Sequence, residues 1–124
     1  MVRIIISRTK QKKYYFFVES TKQETLLTSG LYTCKISCKK GIASFKNAVD
    51  GVGRYQLLEE QHSVSFIVKS VNGQQLATSE SFGSLIELTE IITTLKAEIR
   101  NATVMDQTTK RKGKDLLTIV DELR

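Results

Sequence analysis

The chain repeats itself. Moved along itself by fifty places, residues 14–49 (YYFFVESTKQETLLTSGLYTCKISCKKGIASFKNAV) fall on residues 64–99 (VSFIVKSVNGQQLATSESFGSLIELTEIITTLKAEI) without a gap, and nine of the 36 pairs are identical. Ordinary composition gives roughly two such matches by chance. The identities are Phe16/Phe66, Val18/Val68, Ser20/Ser70, Leu26/Leu76, Thr28/Thr78, Ser29/Ser79, Ile36/Ile86, Ile42/Ile92 and Lys46/Lys96, with Phe17/Ile67, Tyr32/Phe82, Phe45/Leu95 and Val49/Ile99 conservative. The chain reads as a tandem duplication. A unit of about fifty residues is near the limit at which a core sustains itself. The copies are therefore expected to share one core, or at least one sheet.

Each copy reads as three strands and a helix. Residues 2–7 (VRIIIS) are short and β-branched, residues 8–13 (RTKQKK) form a polar hairpin connection, and residues 14–20 give the next strand. Tyr14, Phe16 and Val18 match Val64, Phe66 and Val68, so that face is assigned to the core. Tyr15, Phe17 and Glu19 match Ser65, Ile67 and Lys69, a mixed face expected to be at most partly covered. A turn at residues 21–24 corresponds to Asn72-Gly73, a two-residue hairpin signal, and leads to a third strand at 25–29, matched by 75–79. In the second copy Ser84 and Glu87 make a capping box ahead of Leu88, Ile91, Ile92, Leu95 and Ile99, a stripe of helical period. Its counterpart is Cys38, Gly41, Ile42, Phe45 and Val49; Gly41 on a buried stripe predicts close backbone approach to the sheet. The second copy opens at residues 54–59 with its register slipped by about one residue and a shorter hairpin loop, and residues 103–106 (TVMD) read as a short closing strand. The units are residues 1–50 and 51–106, followed at 107–124 by a basic linker and a short amphipathic helix.

Composition narrows the functional classes. No apolar run approaches the ~20 residues of a membrane span, and residues 1–13 do not read as a signal peptide, so the cytoplasm is the expected location. Cys34 and Cys38 are read as small buried residues of a reducing compartment; with His62 the only histidine, soft ligands are too few for a four-ligand zinc site, and no metal or cofactor is expected. The net charge of +6 is uneven, with +8 over residues 1–49, −3 over 50–102 and +1 over 103–124. Attraction between the copies explains this; so does a basic surface kept for a polyanion.

The residues resemble a known family. Tyr14, Phe16, Val18, a turn, Leu26, Ser29 and Tyr32, then lysines ahead of Gly41-Ile42, Ser44 and Lys46-Asn47-Ala48, resemble the YegP-like bacterial repeat domain from about Arg3 to Asp106. In the second copy Arg54-Tyr55, Asn72-Gly73, Ser79, Phe82 and Asn101-Ala102 fit, while Ile91-Ile92 replaces the Gly-Ile pair. The resemblance implies an α+β fold: two β-β-β-α-β units around one antiparallel sheet, helices packed on one face, last strands exchanged. The segment after Val49 and residues 103–106 would be those strands. It implies no activity.

Nothing in the sequence makes a catalytic constellation. His62 lies in a hairpin loop beside Glu59 and Glu60, no glycine-rich phosphate loop is present, and Glu87, Glu90 and Glu98 fall off the apolar stripe. The chain is therefore expected to act by binding rather than as an enzyme. One reading is a protein-interaction or structural module, its partner another protein or a second copy, using Tyr15, Phe17 and Ile67 with Leu116, Ile119, Val120 and Leu123 of the tail. The other is nucleic-acid binding through Arg3, Arg8, Lys10, Lys12, Lys13, Tyr15, Lys110, Arg111 and Lys112, which combine basic charge with an aromatic.

Overall fold

A computed structural model describes residues 1–52 and 54–108. The predicted linker and helix at 107–124 lie mostly outside the described residues, as do Lys110, Arg111, Lys112, Leu116, Ile119, Val120 and Leu123. The elements run β1 (Arg3–Arg8), β2 (Tyr14–Glu19), β3 (Thr25–Ser29), α1 (Lys35–Asn47), β4 (Arg54–Glu60), β5 (Ser63–Lys69), β6 (Gln75–Ser79), α2 (Leu85–Glu98) and β7 (Thr103–Asp106). Short helical turns, Ala48–Val52 and Ile99–Asn101, extend the two helices.

All seven strands form one sheet in the order β4-β5-β6-β3-β2-β1-β7. The two β-β-β-α halves meet at the antiparallel pair β3–β6, where Thr28 stands opposite Thr78. The β7 strand closes the far edge. It returns from the second half and pairs with β1 of the first, Arg3 opposite Thr103 through Ile6 opposite Asp106.

Two expectations are corrected here. The sheet is mixed rather than antiparallel, because β7 reaches β1 by a crossover through α2 and runs parallel to it. Nor are both last strands exchanged. Residues 48–52 are a helical turn, and the chain goes on to β4 at Arg54; β4 makes its hairpin with β5 and, among the described residues, has no partner strand on its other side.

Strand alternation explains the core. Ile4, Ile6, Phe16, Val18, Leu27, Phe66, Val68 and Ala77 point to one face and meet Cys38, Ile42, Phe45, Leu88, Leu95 and the flanking Val49 and Ile99. Both helices lie on that face. The α2 cap forms with a displaced reciprocal bond: Glu87 N–H donates to Ser84 Oγ at 3.2 Å, while Glu87 Oε1 accepts from Gly83 rather than Ser84. The Asn72-Gly73 turn is wider than predicted. Ser70 N–H donates to Gln74 O and Gly73 N–H to Ser70 O, with Gly73 at φ 86°. The loop in the first half is the same, with Gln23 at φ 66° in glycine's place.

Ser29 and Ser79 are the buried polar residues among those described, and each is satisfied in the same way. Ser29 Oγ accepts from Phe16 N–H at 2.9 Å and donates to Gly30 O at 2.8 Å; Ser79 Oγ accepts from Phe66 N–H at 2.8 Å and donates to Glu80 O at 2.8 Å. At the helix ends Arg100 ion-pairs with Asp50, joining the halves through positions fifty apart.

Candidate functional site

The face of the sheet turned away from the helices carries Tyr15 and Phe17 of β2 and Ile67 of β5, as the strand alternation of the sequence predicts. Backbone register orders them into one row across all seven strands: Met105, Ile5, Phe17, Thr28, Thr78, Ile67 and Gln56. Four of the seven are apolar. Met105 is 44% exposed, Phe17 and Ile67 are half-buried, and Ile5 is buried between its neighbours. Tyr15 stands beside Phe17 with ring centroids 6.2 Å apart. Among the described residues no helix covers this face. Arg3 ion-pairs with Glu19 at its border and approaches Met105 Sδ at 3.2 Å, so a shallow depression over Ile5 is rimmed by a charged pair.

The basic residues divide. Lys10, Lys12 and Lys13 are exposed in the β1–β2 loop, and Arg8 lies at its start with its guanidinium 5.9 Å from the Tyr14 ring centroid. Tyr15, opposite Ser7, is close to this loop on the open face. Arg3 is at the other end of β1 and is paired with Glu19. The sheet thus places Lys10, Lys12, Lys13 and Tyr15 at one corner, sets Arg8 on the opposite, helix-bearing face over Tyr14, and leaves Arg3 out.

The cysteines, expected to be alike, are not. Cys38 is buried on the α1 stripe, where desolvation and the Asp106 carboxylate push its thiol up to about 11. Cys34 is exposed because the helix begins at Lys35, which leaves Cys34 at the N-cap, off the stripe. Its Sγ lies 3.3 Å from Ser37 Oγ, a hydrogen bond that lowers its pKa. Among the described residues no group of three or more His, Cys, Asp or Glu side chains is gathered that could hold a metal ion, and no helix is long and apolar enough to cross a membrane.

Two surface features escape a reading of the sequence. Ile36 and Ile86, identical residues fifty places apart, are 69% and 73% exposed in the first turn of their helices. Their position off the apolar stripe is the available signal. Leu57 of β4 is 45% exposed although it lies on the core row beside Phe66, and only the strand order reveals that.

No family model matches the chain. Individual relatives do. It is 34% identical over 104 residues to a UPF0339 protein of Acinetobacter baylyi, covering 83% of this chain and 94% of that one. It is 30% identical, with the same coverage, to UPF0339 protein YegP of Escherichia coli. The solution NMR structure of Escherichia coli YegP, a protein of unknown function, superposes with a TM-score of 0.77 at 28% identity, covering 89% of this chain and 96% of that one. A UPF0339 protein of Shewanella oneidensis shares the fold, with a TM-score of 0.74 at 21% identity over 85% and 90% of the two chains. The chain belongs to the UPF0339 family of YegP-like proteins. With that membership come a fold and no activity.

Proposed function

We propose that this chain is a non-catalytic binding module, an internally duplicated β-β-β-α unit (1–50 and 51–106) that engages a protein partner through the open face of its sheet. The observation that carries the reading is the cross-strand row containing Met105, Ile5, Phe17 and Ile67, flanked by Tyr15. A sheet face that only meets water gains nothing from a phenylalanine, two isoleucines and a methionine in register, whereas a partner with an apolar strip of its own does. The charged Arg3–Glu19 pair at the border suits a polar rim.

The test is a photoreactive phenylalanine analogue at position 17, compared with one at the exposed position 23, in cells that produce the protein naturally. The reading expects one defined protein adduct at position 17, absent at 23 and lost in Ile67→Lys. Equal, diffuse labelling at both positions would contradict it.

A second reading rests on the β1–β2 corner, where Lys10, Lys12 and Lys13 stand exposed near Tyr15. Charge beside an aromatic supports contact with a nucleic-acid backbone and stacking on a base. Fluorescence anisotropy with single-stranded and duplex DNA and RNA, at roughly 50 and 200 mM salt, separates the two. Steeply salt-dependent binding, weakened by removing the three lysines, supports this second reading. No binding at the lower salt rejects it.

A further inference from the structure

We infer that β4 is a self-complementary edge by which two copies of this chain join into one continuous sheet. The first strand of each half is flanked differently. In the first half β1 lies inside β7: Ile6 stands across from Phe16 and is fully covered, and its carbonyl accepts from Gln107 N–H at 3.0 Å just after β7. In the second half β4 is itself an outer strand: Leu57 stands across from Phe66 in the same core row, has no strand beyond it among the described residues, and is 45% exposed.

The backbone of β4 is turned to receive a strand. Phe66 N–H donates to Ser79 Oγ and Val64 N–H to Phe82 O, so these β5 groups face β6. In an antiparallel ladder a residue sends its N–H and C=O to the same side, and directly opposite residues alternate between bonded and non-bonded pairs. Leu57, opposite Phe66, and Glu59, opposite Val64, therefore direct their N–H and C=O groups away from β5, and Tyr55 follows by alternation. The β4–β5 register runs without a bulge from Arg54 to Glu60, and the chain contains no proline, so what guards this edge is charge alone, from Arg54, Glu59 and Glu60.

The side chains choose both the partner and its direction. Antiparallel pairing of β4 with β4 of a second copy, centred on Leu57, sets Leu57 against its own copy, Tyr55 against Glu59 and Gln56 against Leu58. Arg54 then faces Glu60 of the second copy. Residues directly opposite share a face of the sheet, so the helices of both copies lie on the same side. Arg54 already stands beside Lys69 on β5, a like-charged neighbour that Glu60 of the second copy would relieve. Parallel pairing, the manner in which β7 meets β1, would instead oppose Arg54 to Arg54 and Glu60 to Glu60. Leu57 and the two charged ends fit a second copy, related by a two-fold axis, and fit it antiparallel.

Sedimentation equilibrium of the full chain, from roughly 10 µM to 1 mM, suits a contact this small. The wild type is expected to show a concentration-dependent dimer. Leu57→Pro removes an N–H that points outward, so the β4–β5 ladder keeps its bonds while the dimer is lost. Arg54→Glu and Glu60→Arg should each weaken the homodimer at least tenfold. An equimolar mixture of the two should form a heterodimer, since every opposed charge is then matched. A strictly monomeric wild type at the highest concentration overturns the inference. So does a dimer that survives both charge reversals, or a mixture that associates no better than its components.

Discussion

The ring of Tyr32 lies directly on a glycine of α1. A Cβ at Gly41 would come within 2.1 Å of the Tyr32 hydroxyl and 2.5 Å of Cζ, so α1 admits Tyr32 only because position 41 has no side chain. The close approach predicted from Gly41 exists, but it is to this ring, which is bridged to Tyr14 at the margin of the sheet, rather than to a strand backbone. The second half pairs Phe82 with Ile91 at these positions, and the constraint is gone. Gly41→Leu should therefore destabilise the fold by about 1–3 kcal/mol, read from a denaturant melt, and Tyr32→Ala in the same chain should recover part of that loss. An unchanged midpoint in Gly41→Leu would contradict this contact. The buried thiol gives a pH-dependent prediction. Burial raises Cys38 from an ordinary value near 9 to about 11, so the folded state holds its proton where the unfolded chain releases it. Stability from this group is complete below pH 9 and is lost as the pH rises toward 11, at about 1.4 kcal/mol per unit. In a Cys34→Ala background, melts between pH 8 and 10 should show this decline, and Cys38→Ala should flatten it. Tyr55, pushed up to about 12 by burial, adds its own decline only above pH 10.

At the level of elements, each segment is legible where a residue pattern answers to one neighbour. The stripe Leu88, Ile91, Ile92, Leu95 and Ile99 marks α2, and alternation around Phe16 and Val18 separates the two faces of β2. Residues 103–106 can be read as a strand, but their direction cannot. Parallel pairing with β1 depends on where α2 delivers the chain, which no local pattern encodes. The outer position of β4, bare among the described residues, is hidden for the same reason, and so is the N-cap position of Cys34, since helix ends are set within a residue or two by caps and neighbours. The β7 strand covers the outer edge of β1. Val104 and Asp106 flank Ile4 and Ile6, and Asp106 ion-pairs with Lys35 of α1 at 2.8 Å. A chain ending at Ala102 should lose about 2–4 kcal/mol relative to one ending at Thr108, mostly through renewed exposure of that isoleucine edge. Equal melting temperatures for the two would show that β7 closes nothing.

At the scale of the whole molecule, the halves depend on one another. They meet at β3–β6, β7 of the second half seals β1 of the first, and the Asp50–Arg100 pair ties the helix ends together. Phe16, Phe45, Phe66 and Leu95 lie in one buried cluster drawn from both halves. The match of the sequence with itself at fifty places points to this shared core, because about fifty residues are near the limit at which a core sustains itself. It does not point to a function, since the open face is built from residues that sheet packing does not dictate. Native-state amide hydrogen exchange tests the shared core most directly. If the sheet is a single cooperative body, the slowest amides of β2 and β3 and those of β5 and β6 will open with the same free energy, equal to that of global unfolding. If one half exchanges through a separate, lower-energy opening while the other stays protected, the two halves are independent domains and the single-sheet account is wrong.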